Sequence, residues 1–329
     1  MSVISTKEAL ALKVYAQTLS AFERANVFSS IITKQTIDSG KSSQFIVNTR
    51  GAEASIDPAT GLPSGTAGAT GGEVQTRALG QNILDLTSQL RVTERTIFLE
   101  RPLATVMALD DFEKKMAHYN MGQMITGQGG STMSNFFDRR MIVELDKASI
   151  LPATTTQYAS GAVYNAMISG GTTAEIKGNA ILDSIFAGAS ILDGKDRNTK
   201  QRYFVTTNQN YYNLLQSQKA VNRDFNGGDN GSIATGKVLR IGDIVILRSN
   251  NISNTLAPNI TTTVGNGKEI AGYLLTEDVI GVVEQKGLTT DTYFHKDLRQ
   301  DIYYVEMVIG AGTLDPSSFV AITTGTLNS

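Results

Sequence analysis

Few residues in this sequence have types and spacings that could do chemistry. A phosphate-binding loop needs GxxxxGK followed by Ser or Thr, because backbone amides cradle the phosphates and the hydroxyl reaches magnesium. Gly231, Gly236 and Lys237 have that spacing, but Val238 stands where the hydroxyl belongs and Gly231 follows a loop rather than a strand. Gly40-Lys41-Ser42 ends the same way, with Gln35 in place of the first glycine. Gly127, Gly129 and Gly130 match a dinucleotide turn in composition only, since they sit inside a helical pattern rather than between a strand and a helix. The two histidines, His118 and His295, have no HExxH context and no second histidine nearby, so each reads as a packed or surface residue. There is no GxSxG nucleophile elbow, and the absence of cysteine removes thiol nucleophiles, disulfides and thiolate metal sites. Asp110 and Asp111 form a carboxylate pair, but a helix N-cap accounts for Asp110, because its oxygen can accept an orphan amide. The mixed run Lys195, Asp196, Arg197, Lys200 and Arg202 reads as a solvated face, with an inter-subunit ion-pair patch as the minority reading. The expectation is no catalytic residue, no cofactor and no metal.

The elements that would have to position such groups are organised around one stretch. In residues 120–151, Met133, Phe137, Met141 and Leu145 repeat every four positions, Met121, Met124 and Ile125 open that face, and Phe136 and Ile142 widen it. The spacing predicts a long amphipathic helix, N-capped by Asn120 and stopped by Pro152. At about 1.5 Å per residue it is a rod about 45 Å long. Gly127, Gly129 and Gly130 each weaken it by roughly 1 kcal/mol against alanine, while each large apolar side chain buried contributes roughly 1.5–3 kcal/mol. The helix therefore survives, and the glycines serve either a close approach of another backbone or a bend.

Ahead of the rod, Ser5 and Glu8 form a capping box for a helix ending near Ala25, with Leu12, Tyr15, Leu19 and Phe22 on one face. SSQFIVNT at 42–49 is a strand, IDPATGLPSGTAGATGGE at 56–73 is a loop too polar and small-residued to bury a core, and a strand returns near 95–100. Together they predict a two-stranded arm whose tip carries Pro58, Gly61, Pro63 and Gly65. An isolated strand pair is marginal in water, so something else must hold it. Leu103 to Leu109 is a strand, and Asp110 with Glu113 caps the short helix DFEKKMAHY. Past a Thr- and Gly-rich connection, Thr172 and Glu175 cap a helix with Leu182, Ile185, Phe186, Ala189 and Leu192 on one face, closed by Asp193-Gly194. RYFVTT is a strand, and NQNYYNLLQSQ a short helix with Tyr211, Leu214 and Leu215 inward. The loop FNGGDNGS precedes strand candidates at 237–241, 244–248, 273–276 and 280–285. DIYYVEMVIGAG and LDPSSFVAITT end the chain as strands around an Asp315-Pro316 turn.

Composition bounds the function classes. The chain has 329 residues, 41% hydrophobic and 18% charged, which is ordinary for a globular protein with room for two cores. A net charge of −2 argues against a strongly basic duplex binder. No apolar run approaches eighteen residues and MSVISTKEAL has neither a basic nor an apolar leader region, so neither membrane insertion nor export is expected.

Taken in order, ALALKVYAQTLSAFERANV, SGKSSQFIV, RTIFLERPLATVMALDDFEKKMAHYNM, RYFVTTNQNYYNLL, VLRIGDIVILRSNNI and GAGTLDPSSFVAI resemble the major capsid proteins of tailed bacteriophages, most closely the short-tailed, podovirus type. The resemblance implies an α+β fold. Residues 1–41 would be the N-terminal arm, 42–100 the E-loop, 101–168 a P-domain with spine helix 120–151, 169–287 the A-domain, and 288–329 strands returning to the P-domain. It implies self-assembly into hexamers and pentamers that close an icosahedral head shell around packaged double-stranded DNA, by way of a procapsid built with a scaffolding protein and a portal. The product is a virion component assembled in the host bacterial cytoplasm, with no membrane partner. A minor head or decoration protein is the alternative. On this resemblance Gly127, Gly129 and Gly130 would be a spine-helix bend, and Pro58, Gly61, Pro63 and Gly65 inter-subunit contacts.

Overall fold

The computed structural model describes residues 6–47, 55–56, 63–64, 93–116, 121–150, 161–168, 173–195, 201–217, 231–232, 237–238, 240–264 and 268–326. In chain order its elements are α1 (Thr6–Ala25), β1 (Thr33–Thr36), β2 (Ser42–Val47), β3 (Ser55–Ile56), β4 (Pro63–Ser64), β5 (Thr93–Phe98), β6 (Leu103–Asp110), α2 (Asp111–Met116) and α3 (Met121–Ile150). There follow β7 (Ala162–Ile168), α4 (Ala174–Asp193), β8 (Arg202–Thr206), α5 (Asn208–Gln216), β9 (Gly231–Ser232), β10 (Lys237–Val238), β11 (Arg240–Ile241) and β12 (Ile244–Arg248). The chain closes with α6 (Pro258–Val264), β13 (Glu269–Thr276), β14 (Ile280–His295), β15 (Gln300–Thr313) and β16 (Phe319–Thr326).

Two sheets share the work of burying α3. The first runs β1-β14-β15-β6, the second β11-β12-β8-β13-β16-β7. Period-two alternation makes the second sheet two-sided. Tyr273, Leu275, Phe319 and Ala321 face the core around α3, while Leu274, Val320 and Ile322 face a second core with Ile181, Ile185 and Leu192 of α4 and Leu214 of α5. A sheet covered on both faces explains why GYLLT and FVAIT read as unbroken small and apolar runs. The closing segment divides between the sheets: β15 lies against α3, and β16 sits in the second sheet between β13 and β7.

Helix α3 matches the predicted rod, but not as a one-faced helix. Met141, Ile142, Glu144, Leu145, Asp146 and Ala148 are all buried, because α1, both sheets and α6 enclose its C-terminal half. Near its N-terminus the expected face is rotated: Met124 and Phe136 are exposed. Tyr15 of α1 and Phe186 of α4, both expected inward, are exposed as well, and Val14, Thr18 and Ile181 take the inner positions. The cap expected from Thr172 is replaced by Thr173 at the N-cap position of α4, with no side-chain bond. Asn120 and Pro152 lie outside the described residues, as does Ser5. Among the elements that escaped the sequence reading are β1, β7, hidden in the Thr- and Gly-rich connection, and α6, whose PNITTTV has poor helix formers.

The three rod glycines have different surroundings. A Cβ on Gly130 would lie 2.3 Å from the Thr18 carbonyl oxygen and 3.2 Å from the Phe22 nitrogen, so α1 crosses α3 with backbone against backbone there. One turn or two further on, Phe22 meets Phe137 edge to face at 6.1 Å between ring centres. A Cβ on Gly129 would meet only the flexible end of Met107 at 2.5 Å and Val305 at 3.2 Å, and one on Gly127 would meet nothing within 4 Å. Gly130→Ala is expected to destabilise the subunit by about 1–3 kcal/mol by forcing the helices apart. Gly127→Ala is expected to stabilise it by roughly 0.5–1 kcal/mol through helix propensity. Urea unfolding of the two variants checks this, and equal shifts would rule out the crossing as the reason for Gly130.

Candidate assembly interface

The feature that one subunit leaves incomplete is the arm. β2 and β5 pair antiparallel from Ser42↔Phe98 to Val47↔Thr93, as the alternation predicts. Farther out, Ile56 pairs with Pro63, which places Pro63 in a two-residue strand; Pro58, Gly61 and Gly65 lie outside the described residues. At the base of the arm Phe45 and Ile97 pack on Val283 of β14 and on Leu314. Main-chain bonds fix that base: Leu99 N–H donates to Lys41 O at 2.8 Å and Glu100 N–H donates to Ile309 O at 3.0 Å. Gly310 makes the crossing fit, since a Cβ there would lie 2.1 Å from the Phe98 carbonyl oxygen. At this base the Phe98 side chain is 68% exposed.

Helix α3 grips the arm's base through charge. Arg140 donates from Nε to Glu100 at 3.0 Å and pairs also with Glu144, which in turn accepts from Lys147 Nζ at 2.6 Å. Two further carboxylates on α3, eight positions apart, hold other segments by their main chains. Asp138, fully buried, accepts from Val27 N–H at 3.2 Å, from Phe28 N–H at 3.2 Å and from the Asn251 amide at 3.4 Å. Asp146 accepts from Ile260 N–H at 3.0 Å and from the Asn259 amide at 2.9 Å, capping the start of α6. Burial pushes the Asp138 carboxyl up from 3.8 to about 6, against the pull of the Phe28 and Val27 amides and Asn251.

The residues singled out for chemistry disperse. Gly231 and Lys237 fall on β9 and β10, with Lys237 paired to Ser232 in a short antiparallel ladder instead of a strand-loop-helix cradle; Gly236 lies outside the described residues. Asp110 caps α2 by accepting from Phe112 N–H at 2.8 Å. His295 Nδ1 accepts from Leu298 N–H at 3.3 Å in the hairpin turn, and His118 lies outside the described residues. Arg202, expected on a solvated face, is buried and pairs with Asp193, because the first residue of β8 points inward beside α4. Asp196, Arg197 and Lys200 lie outside the described residues. A polar cleft of about 450 Å³ opens by the start of α5 between Lys177, Asn208, Asn210 and Glu269. Among the described residues no group of three His, Asp or Glu could hold a metal ion, and no helix is long and apolar enough to cross a membrane.

Sequence reasoning missed Asp138, Asp146 and Gly310. A glycine inside an apolar strand pattern is itself a sign of close backbone approach, so Gly310 was findable. The two carboxylates carried no such signal, because their donors lie more than 100 residues away in the chain.

A long and largely buried helix has a long hairpin beside it and a strand pair anchored on that hairpin. Residues 17–290 match the Gp10A-like major capsid proteins, and the chain belongs to that family. It is 22% identical to the major capsid protein of Enterobacteria phage T3, with 96% of this chain and 92% of that protein covered. It is equally similar to the minor capsid protein of the same phage, of which only 73% is covered. The fold is that of the capsid of Cyanophage P-SCSP1u, with a TM-score of 0.66 at 21% identity over 92% of this chain and 89% of that one. The chain is thus a major capsid protein with the tailed-phage α+β capsid fold, a structural, shell-forming component of the phage head.

Asp138 gives the subunit a pH dependence whose sign follows from the direction of its shift. A carboxyl raised from 3.8 to about 6 on folding is protonated more readily in the folded chain, so its contribution falls as pH rises between those values and is level above them. The difference in urea midpoint between the parent and Asp138→Asn should therefore fall across pH 4 to 6 and level off above it. A difference independent of pH would show that Asp138 does not titrate in this window.

Proposed function

We propose that copies of this chain form hexamers and pentamers that close an icosahedral head shell around packaged double-stranded DNA. The observation that carries this is the arm's base, a six-residue strand pair that is anchored on the β14–β15 hairpin and tied to α3. Such a pair gains its missing contacts by lying across a neighbouring subunit, and repeated head-to-tail contacts of that kind close into rings. A net charge of −2 suits a wall that encloses DNA without binding it tightly. The shell grows in the host bacterial cytoplasm with a scaffolding protein and a portal, and the chain acts as structure, without enzymatic chemistry.

In this reading residues 1–41 are the N-terminal arm laid along the spine helix, 42–100 the E-loop, and 101–168 the P-domain. Residues 169–287 are the A-domain, and 288–329 return beside the spine, with β16 serving the sheet of the A-domain. Gly127, with open space around it, is the position at which the spine is free to bend as the shell matures.

Electron microscopy of the protein expressed with its scaffold should show closed particles, and a persistent monomer would refute the reading. Deleting residues 59–72 should leave the circular dichroism and melting of the subunit unchanged while impairing shell formation. Particles that formed and melted like the parent would make the tip passive.

A further inference from the structure

We propose that the seam between α1 and α3 binds an internal water molecule, held by Asn26, Ser134 and Asp138. The inference concerns the subunit itself and stands whether or not copies close into a shell.

Two buried polar atoms in this seam, Asn26 Nδ2 and Ser134 Oγ, have no hydrogen-bond partner among the described residues. Ser134 is wholly buried on the inner side of α3. Unpaired polar atoms inside a protein are costly, and native chains meet the cost with a protein group or a water. Asn26 cannot meet it by turning its amide over. Its Oδ1 accepts from Ser29 N–H at 2.6 Å, so Nδ2 has to point away from that bond.

The shape of the seam explains why a direct bond is missing. Gly130, Ser134 and Asp138 form one row along α3, each four residues from the next. At Gly130 the backbones touch, since a Cβ there would lie 2.3 Å from the Thr18 carbonyl oxygen. At Asp138 a whole carboxylate side chain and bonds of 3.2 Å separate α3 from the Val27 and Phe28 amides. The two segments therefore diverge along the row. Ser134 stands midway and faces the last turn of α1, which Asn26 extends by donating its N–H to Phe22 O at 3.0 Å. A serine side chain is shorter than that of aspartate and does not span the wedge.

Water is the ligand that this set of donors and acceptors selects. Asn26 Nδ2 only donates, the ionised Asp138 carboxylate only accepts, and Ser134 Oγ does either. The amide hydrogens of Asn26 disfavour a cation, and the Asp138 charge disfavours an anion. A water can accept from Asn26 and donate to Asp138 and Ser134, which gives it the partners a buried water needs. Asp138 has capacity for one more donor: its bonds to Val27, Phe28 and Asn251 run from 3.2 to 3.4 Å. Those are longer than the usual length of about 2.9 Å, and a carboxylate offers about four acceptor sites.

A density map of the subunit, free or in a shell, at a resolution that shows ordered waters tests the site. The expected peak lies within about 2.7–3.2 Å of Asn26 Nδ2, Ser134 Oγ and one Asp138 oxygen. A map with ordered waters elsewhere in the interior and no peak here would overturn the proposal. So would a Ser134 Oγ turned back onto the Gly130 carbonyl oxygen, one helical turn earlier. Urea unfolding of the parent, Asn26→Ala, Ser134→Ala and the double variant gives a second readout. Because Asn26 and Ser134 share no direct bond, coupling between them has to pass through the water. The folding equilibrium constant of the double variant should exceed the value expected from multiplying the two single effects by at least about threefold. The Ser29 bond lost in Asn26→Ala and the helix propensity gained in Ser134→Ala cancel in this comparison. Simply multiplicative effects would overturn the bridge.

Discussion

A buried carboxylate must find hydrogen-bond donors or be neutralised, and helix α3 carries three such groups, Asp138, Glu144 and Asp146, through the middle of this protein. Asp138 and Asp146 meet the requirement with main-chain amides from segments distant in the chain, at Val27 and Phe28 and at Ile260. Each bond is thus a constraint on topology as well as an energy term. The exit of α1 and the start of α6 have to arrive at particular positions on the helix, or charge is left uncompensated in a closed core. For Asp138, the hydrogen-bonding partners among the described residues are amides and no cation, and burial raises its pKa, so its contribution to docking the N-terminal segment falls as pH rises toward about 6.

Glycines set the remaining distances. Where α1 crosses α3 at Gly130, and where the arm's base crosses β15 at Gly310, two backbones come closer than any Cβ would permit. At both places the benefit is contact between rigid elements: Phe22 against Phe137 in one case, and Phe45 and Ile97 against Val283 and Leu314 in the other. The cost in helix or strand propensity, about 1 kcal/mol each, is small beside the apolar area that the approach brings together.

The same logic separates what the subunit finishes by itself from what it leaves to its neighbours. The second sheet is covered on both faces, and α3 is buried except along a stripe from Met124 through Gln128, Thr132, Phe136 and Arg139 to Lys147 and Ile150. The base of the arm packs on the hairpin, and the charged chain Glu100, Arg140, Glu144 and Lys147 ties that base to the spine.

Local pattern determined much of this from the sequence alone. The four-residue repeat of Met133, Phe137, Met141 and Leu145 placed α3 to within a residue at each end, and alternation placed β2, β5, β6 and β8, because periodicity reports which side chains must be buried together. Tertiary structure decided the rest. That α3 is buried on all but one stripe, that Asp138 and Asp146 clasp remote amides, that Tyr15 and Phe186 face outward, and that β16 joins one sheet while β15 joins the other all depend on partners far away in the chain. Periodicity says that a residue has an inner face; only packing says which neighbour occupies it.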